Sequence, residues 1–334
     1  MAETKLKDIA EAAGVSVGTV SRALNGKTKG RWASSAVQVE RILELAKEMN
    51  YQPNKAAQVM RTRMTHQIGV IGAEIHNPYT SRNIEIVNNE LAHRGYGLLL
   101  KIIKGDKKEV ISQLKDFTSN MIDGVMNHHP LIDGDELQTA VERIPSVTFD
   151  RSAEHSPAIV NMEGGVLIAL QHLWNLGHRK IAIVTGGDEV GGRRRRISAY
   201  ETFYSSQSQL APENWRITTG WTYEAGEKAV KDFVDSGCTA CLAGNDLLAV
   251  AICSGLRELG LEAPRDYSIV SIDDTILAKI NRPQLTSIQP PIQELVTLSI
   301  DWLICKIEKR KPQSFQLLMP KLVVRQSSGP APSR

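Results

Sequence analysis

Val17, Gly18, Ser21 and Arg22 fall on one side of a short predicted helix, and Val20 and Leu24 fall on the other. A helix with one apolar face and one small, polar and cationic face can lie on a core and read a polyanion. Ser16 stands where such a helix needs an N-cap. The preceding segment repeats Leu6, Ile9, Ala10 and Ala13 at helical spacing, Gly14 supplies a residue that tolerates φ > 0, and Val15 can turn inward. Two helices of this size form no core alone. Their use is to place the second in a DNA major groove. A third helix must therefore close over them. It is predicted from Ser34 or Ser35 onward, with Val39, Ile42, Leu43, Ala46 and Met49 on its apolar face and Pro53 beyond its end. Between the second and third helices runs a basic stretch, Gly26-Lys27-Thr28-Lys29-Gly30-Arg31. After Pro53 comes a short basic segment, Asn54 to Arg63, with little to pack on, so it folds only when something holds it.

Charge supports a separate head. Residues 1–65 hold 11 Lys and Arg against 6 Asp and Glu, a net +5, and the other 269 residues hold 29 against 31, a net −2. A basic module on a near-neutral body suits a polyanion partner. At 334 residues, with 42% hydrophobic and 23% charged, the chain has room for two or three domains. No apolar run reaches the ~18–20 residues that span a bilayer, and the start lacks the apolar core of a secretory signal, so no membrane partner and a cytoplasmic location are expected. Four cysteines in that compartment do not suggest a disulfide scaffold.

From Gln67 onward, β-rich runs alternate with helical stretches. The runs are Ile68–Ile75, Gly97–Ile103, Gly124–Asn127, Ser146–Phe149, Ile181–Thr185, Ile217–Gly220, Cys241–Gly244 and Ser268–Ile272. That alternation predicts an α/β body with two doubly wound parallel-sheet subdomains and a cleft between them. Ligands in such folds sit beyond the carboxyl ends of strands. Asn127, Asp150 with Arg151, Asn245 with Asp246, and Asp273 with Asp274 collect there.

Four other signals carry less. Gly187 to Gly192 resembles a phosphate loop but lacks its Lys and Ser/Thr. Cys238-Thr239-Ala240-Cys241 is a lone CxxC without a second pair, better read as buried thiols. His128 and His129 are adjacent in a strand-end context and point apart. Asp273-Asp274 could be a catalytic pair, but no nucleophile or metal set accompanies it, so ligand binding is preferred and no enzyme, metal or cofactor is expected.

Taken together, the chain from Leu6 to about Gln326 resembles the LacI/GalR family of transcriptional regulators. The resemblance rests on the head and on Ile68-Gly69-Val70-Ile71, Asn77-Pro78-Tyr79, Asp123-Gly124, Phe149-Asp150-Arg151, Leu176-Gly177-His178-Arg179-Lys180-Ile181-Ala182, Gly244-Asn245-Asp246, Ile272-Asp273-Asp274 and Leu322-Val323-Val324-Arg325, in that order. It implies a helix-turn-helix head with a hinge helix, then two subdomains like a type I periplasmic binding protein. The implied divisions are 1–52 for the head, 53–65 for the hinge, 66–161 with 291–320 for one effector subdomain, 162–290 with 321–327 for the other, and 328–334 for a disordered tail. The implied partners are double-stranded operator DNA with a pseudopalindromic site, a second copy of the chain as a homodimer, and a small carbohydrate-type effector in the cleft, with a sugar phosphate, sugar acid or purine as the alternative.

Residue by residue, the resemblance implies base reading by Val17, Gly18 and Arg22. Arg22 can fork onto a guanine edge and Val17 can touch a thymine methyl, whereas Gly18 departs from the usual longer side chain. Ser16, Thr19, Ser21 and Asn25 suit phosphate contacts, and Lys27, Lys29 and Arg31 in a loop longer than its family counterpart could add more. In the hinge, Asn54, Lys55 and Ala57 match the minor-groove segment, with Met60 in place of the leucine that wedges between base steps. In the cleft the resemblance implies Tyr79, Asn127, Asp150, Arg196, Trp221, Asn245 and Asp273 as effector ligands, a set whose carboxylates, amides, guanidinium and indole suit a polyol. Pro290 replaces a glutamine that often reaches the effector. Of the tetrad Arg193 to Arg196, only Arg196 matches, and the other three are expected to face solvent. An acidic effector would instead draw on Arg194 or Lys104.

Overall fold

The computed structural model describes residues 4–24, 33–51, 59–60, 62–118, 121–149, 155–187 and 191–333, without the side chains of 33–35 and 191–194. The chain forms two compact units, residues 1–65 and 66–334.

The first unit holds α1 (Leu6–Ala12), α2 (Val17–Leu24) and α3 (Ala33–Glu48). Gly14 adopts φ +64 in the turn between the first two, as the tight turn requires. The Ser16 hydroxyl accepts from the Thr19 backbone N–H at 3.1 Å and so caps α2. Ile9, Ala10, Val20, Ala23, Ile42, Leu45 and Ala46 form the core. Leu45 takes the place expected for Leu43, which is 47% exposed. Leu45 lies three residues beyond Ile42, so the buried stripe of α3 turns slightly from the predicted face.

The second unit carries two parallel sheets. The first is built from β1 (Gln67–Gly72), β2 (Gly97–Ile102), β3 (Gly124–Asn127) and β4 (Ser146–Thr148), in the order β2-β1-β3-β4. Connecting helices α4 (Pro78–His93), α5 (Lys107–Thr118) and α6 (Gly134–Val141) return the chain for each parallel strand. The central strands β1 and β3 are almost wholly buried, as strands covered on both faces must be. β1 stops at Gly72, short of the predicted Ile75, which is half exposed ahead of the Asn77-Pro78 helix start.

After the short β5 (Ala158–Val160) and α7 (Met162–Asn175), the second sheet begins with β6 (Ile181–Thr185). It continues through α8 (Gly191–Ser206), β7 (Arg216–Thr218), α9 (Tyr223–Asp235), β8 (Ala240–Ala243), α10 (Asp246–Glu258), β9 (Ser268–Ile272), α11 (Ile276–Ile280) and β10 (Thr286–Gln289). α12 (Ile292–Ile307) then packs back on α4, β3 and β4 of the first sheet. β11 (Gln316–Leu318) pairs with β5, and β12 (Lys321–Val323) joins β10 as an antiparallel edge of the order β12-β10-β9-β8-β6-β7. The strands β5, β10, β11 and β12, of three or four residues each, are absent from the predicted runs.

The tail corrects an expectation. Residues 328–333 are held rather than disordered. Ser327 is fully buried, its hydroxyl donates to the Ile269 carbonyl at 2.6 Å, and its backbone carbonyl accepts from Ile269 N–H at 2.8 Å. His172 Nε2 lies 2.9 Å from Ser328 Oγ, His178 Nε2 lies 3.1 Å from the Gly329 carbonyl, and Ala331 N–H donates to Leu176. Burial pushes both histidines below their ordinary pKa, which keeps them neutral. A Ser/Gly/Pro composition reads as mobile only when nothing offers partners; here a histidine pair and the start of a central strand do.

Candidate functional site

In the first unit, Val17, Gly18 and Arg22 share an exposed face of α2, and Val17 is 43% exposed. Arg22 Nε donates to the Gly18 carbonyl at 3.2 Å, which leans the side chain along the helix and leaves both terminal NH₂ groups of the fork for another acceptor. A Cβ at Gly18 would find its nearest neighbour, Ser16 Oγ, at 3.7 Å, so packing does not demand glycine there. Ser16, also at this surface, already shares its hydroxyl with the Thr19 side chain at 2.9 Å. Ser21 is half-buried beside them. Met60 is 86% exposed on a helical segment. Asn25, Lys27, Lys29, Arg31, Asn54, Lys55 and Ala57 lie outside the described residues, as does Asp150 of the cleft set.

In the second unit, a cavity of about 630 Å³ opens beyond the carboxyl ends of the strands, where parallel sheets present their loops. Its wall includes Tyr79, Arg196, Trp221, Asn245 and Asp273 from the predicted set. Asn77 starts one side. Its side chain accepts from the Tyr79 backbone N–H at 2.9 Å, and Pro78 at the first helical position fixes the turn that brings Tyr79 to the wall. His128 and Phe149 stack at 4.1 Å on the same side.

Trp221 forms the opposite platform. A Cβ at Gly186 would overlap its indole, and one at Gly244 would sit 2.9 Å from it, so both glycines exist to let the ring lie flat on the backbone. Arg196 spans the ring at 5.4 Å and donates through Nη1 to the Gly244 carbonyl at 3.0 Å. Asn245 accepts from the Leu248 N–H at 2.8 Å, capping α10, and donates to the Trp221 carbonyl at 3.0 Å. It therefore holds the platform as well as facing the cavity.

Asp273 sits in a strained loop, with φ +110 at Asp273 and +47 at Asp274. The loop is fixed from several sides. Arg325 and Gln289 hold the Asp274 carboxylate at 2.5 and 2.7 Å, and Arg82 of α4 donates to the Asp274 carbonyl at 3.1 Å. Behind it, buried Asp246 accepts from Ser271, Ser287 and both donors of Thr275 at 2.6 to 3.0 Å. Burial, reinforced by the nearby Asp246 charge and opposed by Arg196 and Arg82, pushes the Asp273 carboxyl well above the usual range. A carboxyl shifted in that direction gains the option of donating a hydrogen bond to a ligand.

Asn127 is a correction. It is fully buried, donates to the Ile132 carbonyl at 2.8 Å and accepts from the His129 N–H at 2.8 Å. It stands at a strand end as predicted, but its amide shapes its own loop and does not line the cavity. Arg195 is another difference. It joins Arg196 at the wall instead of facing solvent, because the first turns of α8 border the cleft. Lys104 is exposed and off the wall, while Lys107 lines it and pairs with Glu136. Asn83 lines the cavity too and was missed; a polar residue in register with Val87 and Leu91 on a helix's buried stripe was the available signal. Cys238, Cys241 and Cys253 are buried and burial raises all three thiols, Cys253 to about 12.

Residues 5–54 match the description "Bacterial regulatory proteins, lacI family", and residues 170–328 match "Periplasmic binding protein-like domain". The Ribose operon repressor of Escherichia coli (strain K12) is 28% identical over 97% of this chain and 99% of its own length. The HTH-type transcriptional repressor PurR of Photobacterium profundum is 28% identical over 96% of this chain and 98% of its own. The crystal structure of the lac repressor dimer bound to operator and the anti-inducer ONPF superposes with a TM-score of 0.84 at 24% identity, over 98% of this chain and 100% of that one. The chain joins a LacI-family DNA-binding domain to a periplasmic-binding-protein-like domain. With that head the chain binds DNA, and its relatives are transcriptional repressors, not enzymes. The periplasmic-binding-protein-like match falls within the second unit, and the two sheets of that unit carry the cavity. Among the described residues, no helix is long and apolar enough to cross a membrane.

Proposed function

We propose that this regulator is a repressor that binds a pseudopalindromic operator as a homodimer and is controlled by a small, neutral carbohydrate-type effector in the cleft. The observation that carries the effector class is the Trp221 platform with Arg196, Asn245 and Asp273 around it. An indole covers an apolar sugar face, and the polar groups meet hydroxyls. Charge favours a neutral ligand over an anionic one. Among the described residues, the wall holds Glu74, Asp133, Glu136 and Asp273 against Lys107, Arg195 and Arg196, and Lys107 is paired with Glu136. The upward shift of the Asp273 carboxyl brings the two signs closer to balance. A purine is the alternative reading, favoured by the stacked His128–Phe149 pair and by the similarity to a PurR.

Two findings support the operator reading. They are the exposed Val17–Arg22 face and the match of the head to the lacI family. Control follows by population shift, since a ligand that binds one cleft geometry better than another biases that geometry. The test selects duplexes from a random pool with the full-length protein and measures binding against salt and against a panel of sugars, sugar acids, sugar phosphates and purines. The expected result is a two-fold symmetric consensus whose affinity falls steeply with salt and changes with a neutral sugar. A pool with no enriched sequence sinks the operator reading; a response to purines alone sinks the carbohydrate one.

A further inference from the structure

Asparagine is used repeatedly in the second unit, and most of these side chains have protein partners. Asn77, Asn161 and Asn245 cap helices, Asn127 ties its own loop, and Asn281 donates to the Pro283 carbonyl at 2.7 Å. Asn83 differs. It lies on α4 one turn beyond Tyr79 and Thr80, all three at the cavity wall, and it continues the buried stripe of Val87 and Leu91. It is 1% exposed, and neither Nδ2 nor Oδ1 has a hydrogen-bond partner. Buried carboxamides are almost always paired, so one with both ends open marks a place where a partner belongs. Its neighbour Arg82 is not that partner, since its Nη1 reaches the Asp274 carbonyl.

We propose that Asn83 contacts the effector and sets its specificity, donating through Nδ2 and accepting through Oδ1. The broad χ2 well of asparagine lets the amide turn toward the cavity without leaving its χ1 rotamer. The requirement on the ligand is one edge with both a donor and an acceptor. Two adjacent sugar hydroxyls meet it. A carboxylate or phosphate edge, which only accepts, meets the Nδ2 half and leaves Oδ1 open. This rests on the cleft being the effector site and narrows what that site selects.

The test uses full-length protein with Asn83→Leu, an apolar near-isostere, and Asn83→Asp, which keeps the shape and removes the donors. Ligand-free melting is measured first. Calorimetric titration then follows with D-ribose, D-glucose, D-galactose, ribose 5-phosphate, gluconate and hypoxanthine. The expected result is that Asn83→Leu melts no lower than the parent without ligand, yet binds the responding neutral sugar about tenfold or more weakly. Asn83→Asp binds it more weakly too and loses any residual response to the anionic probes. A lower melting point with unchanged affinity overturns the proposal, because the amide then serves packing or an internal water. If Trp221→Ala abolishes sugar binding and both Asn83 variants leave it intact, the cleft reading stands and the Asn83 assignment falls. If no probe binds the parent, the effector reading falls and takes this assignment with it.

Discussion

The two walls of the cleft are built on different terms. On the side of the second sheet, Trp221, Arg196, Asn245 and Asp273 each have a protein anchor, directly or through a neighbour. Trp221 lies on Gly186 and Gly244, Arg196 is tied to the Gly244 carbonyl, Asn245 caps α10, and Asp273 rides on a loop clamped through Asp274. On the side of the first sheet, α4 brings Asn83 to the cavity with both ends of its amide open. One wall is pre-organised and the other is incomplete. Pre-organisation lowers the ordering cost of binding, so the second-sheet wall should supply most of the affinity. An incomplete amide contributes only when a ligand completes it, which is a source of selectivity.

That contrast breaks most visibly at Trp221. Trp221→Ala removes the platform and the surface under Arg196, and the expected loss of sugar affinity is about a hundredfold, on the order of 3 kcal/mol. Titration against the sugar that binds the parent measures it, with circular dichroism to show that the variant is folded. An unchanged affinity would mean that the ring packs the domain and touches no ligand.

Gly186→Ala sharpens the same point by leaving the indole present and moving it. The new Cβ overlaps the ring, so Trp221 must tilt toward the cavity or the loop must give. Overpacking of this kind costs about 1–3 kcal/mol. The expected readout is a shifted tryptophan emission, a lower melting temperature and a roughly tenfold loss of sugar affinity. Gly18→Ala in the head is the matching control. Its nearest neighbour is an ordinary contact at 3.7 Å, so its cost is limited to helix propensity, which favours alanine. Equal destabilisation by the two would show that the platform is no tighter than an exposed helix.

The head was far more legible in the sequence than the cleft, and the reason is distance along the chain. Leu6, Ile9, Ala10 and Val20 meet through neighbouring turns of α1 and α2, and helical spacing alone orders them. Leu43 was expected inside and Leu45 is found there, because the two flank the Ile42–Ala46 stripe on opposite sides and some tens of degrees of helix rotation decide which is buried. The cleft gathers residues from loops more than a hundred positions apart. Strand ends could be located, but the destination of each amide could not. Asn127 and Asn83 show the limit. Asn127 stands at a strand end and turns into its own loop, whereas Asn83 interrupts an apolar helix stripe and reaches the cavity. Periodicity fixes which face a residue occupies, and partners across the fold fix what that residue does. The tail makes the same point in reverse, since its Ser/Gly/Pro run gave no sign of His172 and His178 waiting for it.

The smallest expected effect tests whether the anchored wall carries a cost of its own. Asp273 combines a backbone at φ +110 with a carboxyl whose pKa burial raises. In the unfolded chain that carboxyl titrates near 3.9. Between that value and its folded pKa, the folded protein holds a proton that the unfolded chain has released. The proton-linked stabilisation is therefore full below about pH 4 and is lost as pH rises through the folded pKa. Asp273→Asn abolishes this titration, keeps a donor facing the cavity and suits positive φ at least as well. The variant should melt higher than the parent at pH 7, and the gap should close as pH is lowered toward 4. Thermal unfolding of both proteins across pH 4 to 8 measures it. A gap that does not change with pH would show that Asp273 is ionised like an ordinary surface carboxylate, and the second-sheet wall would then present a fixed negative charge to its ligand in place of a hydrogen-bond donor.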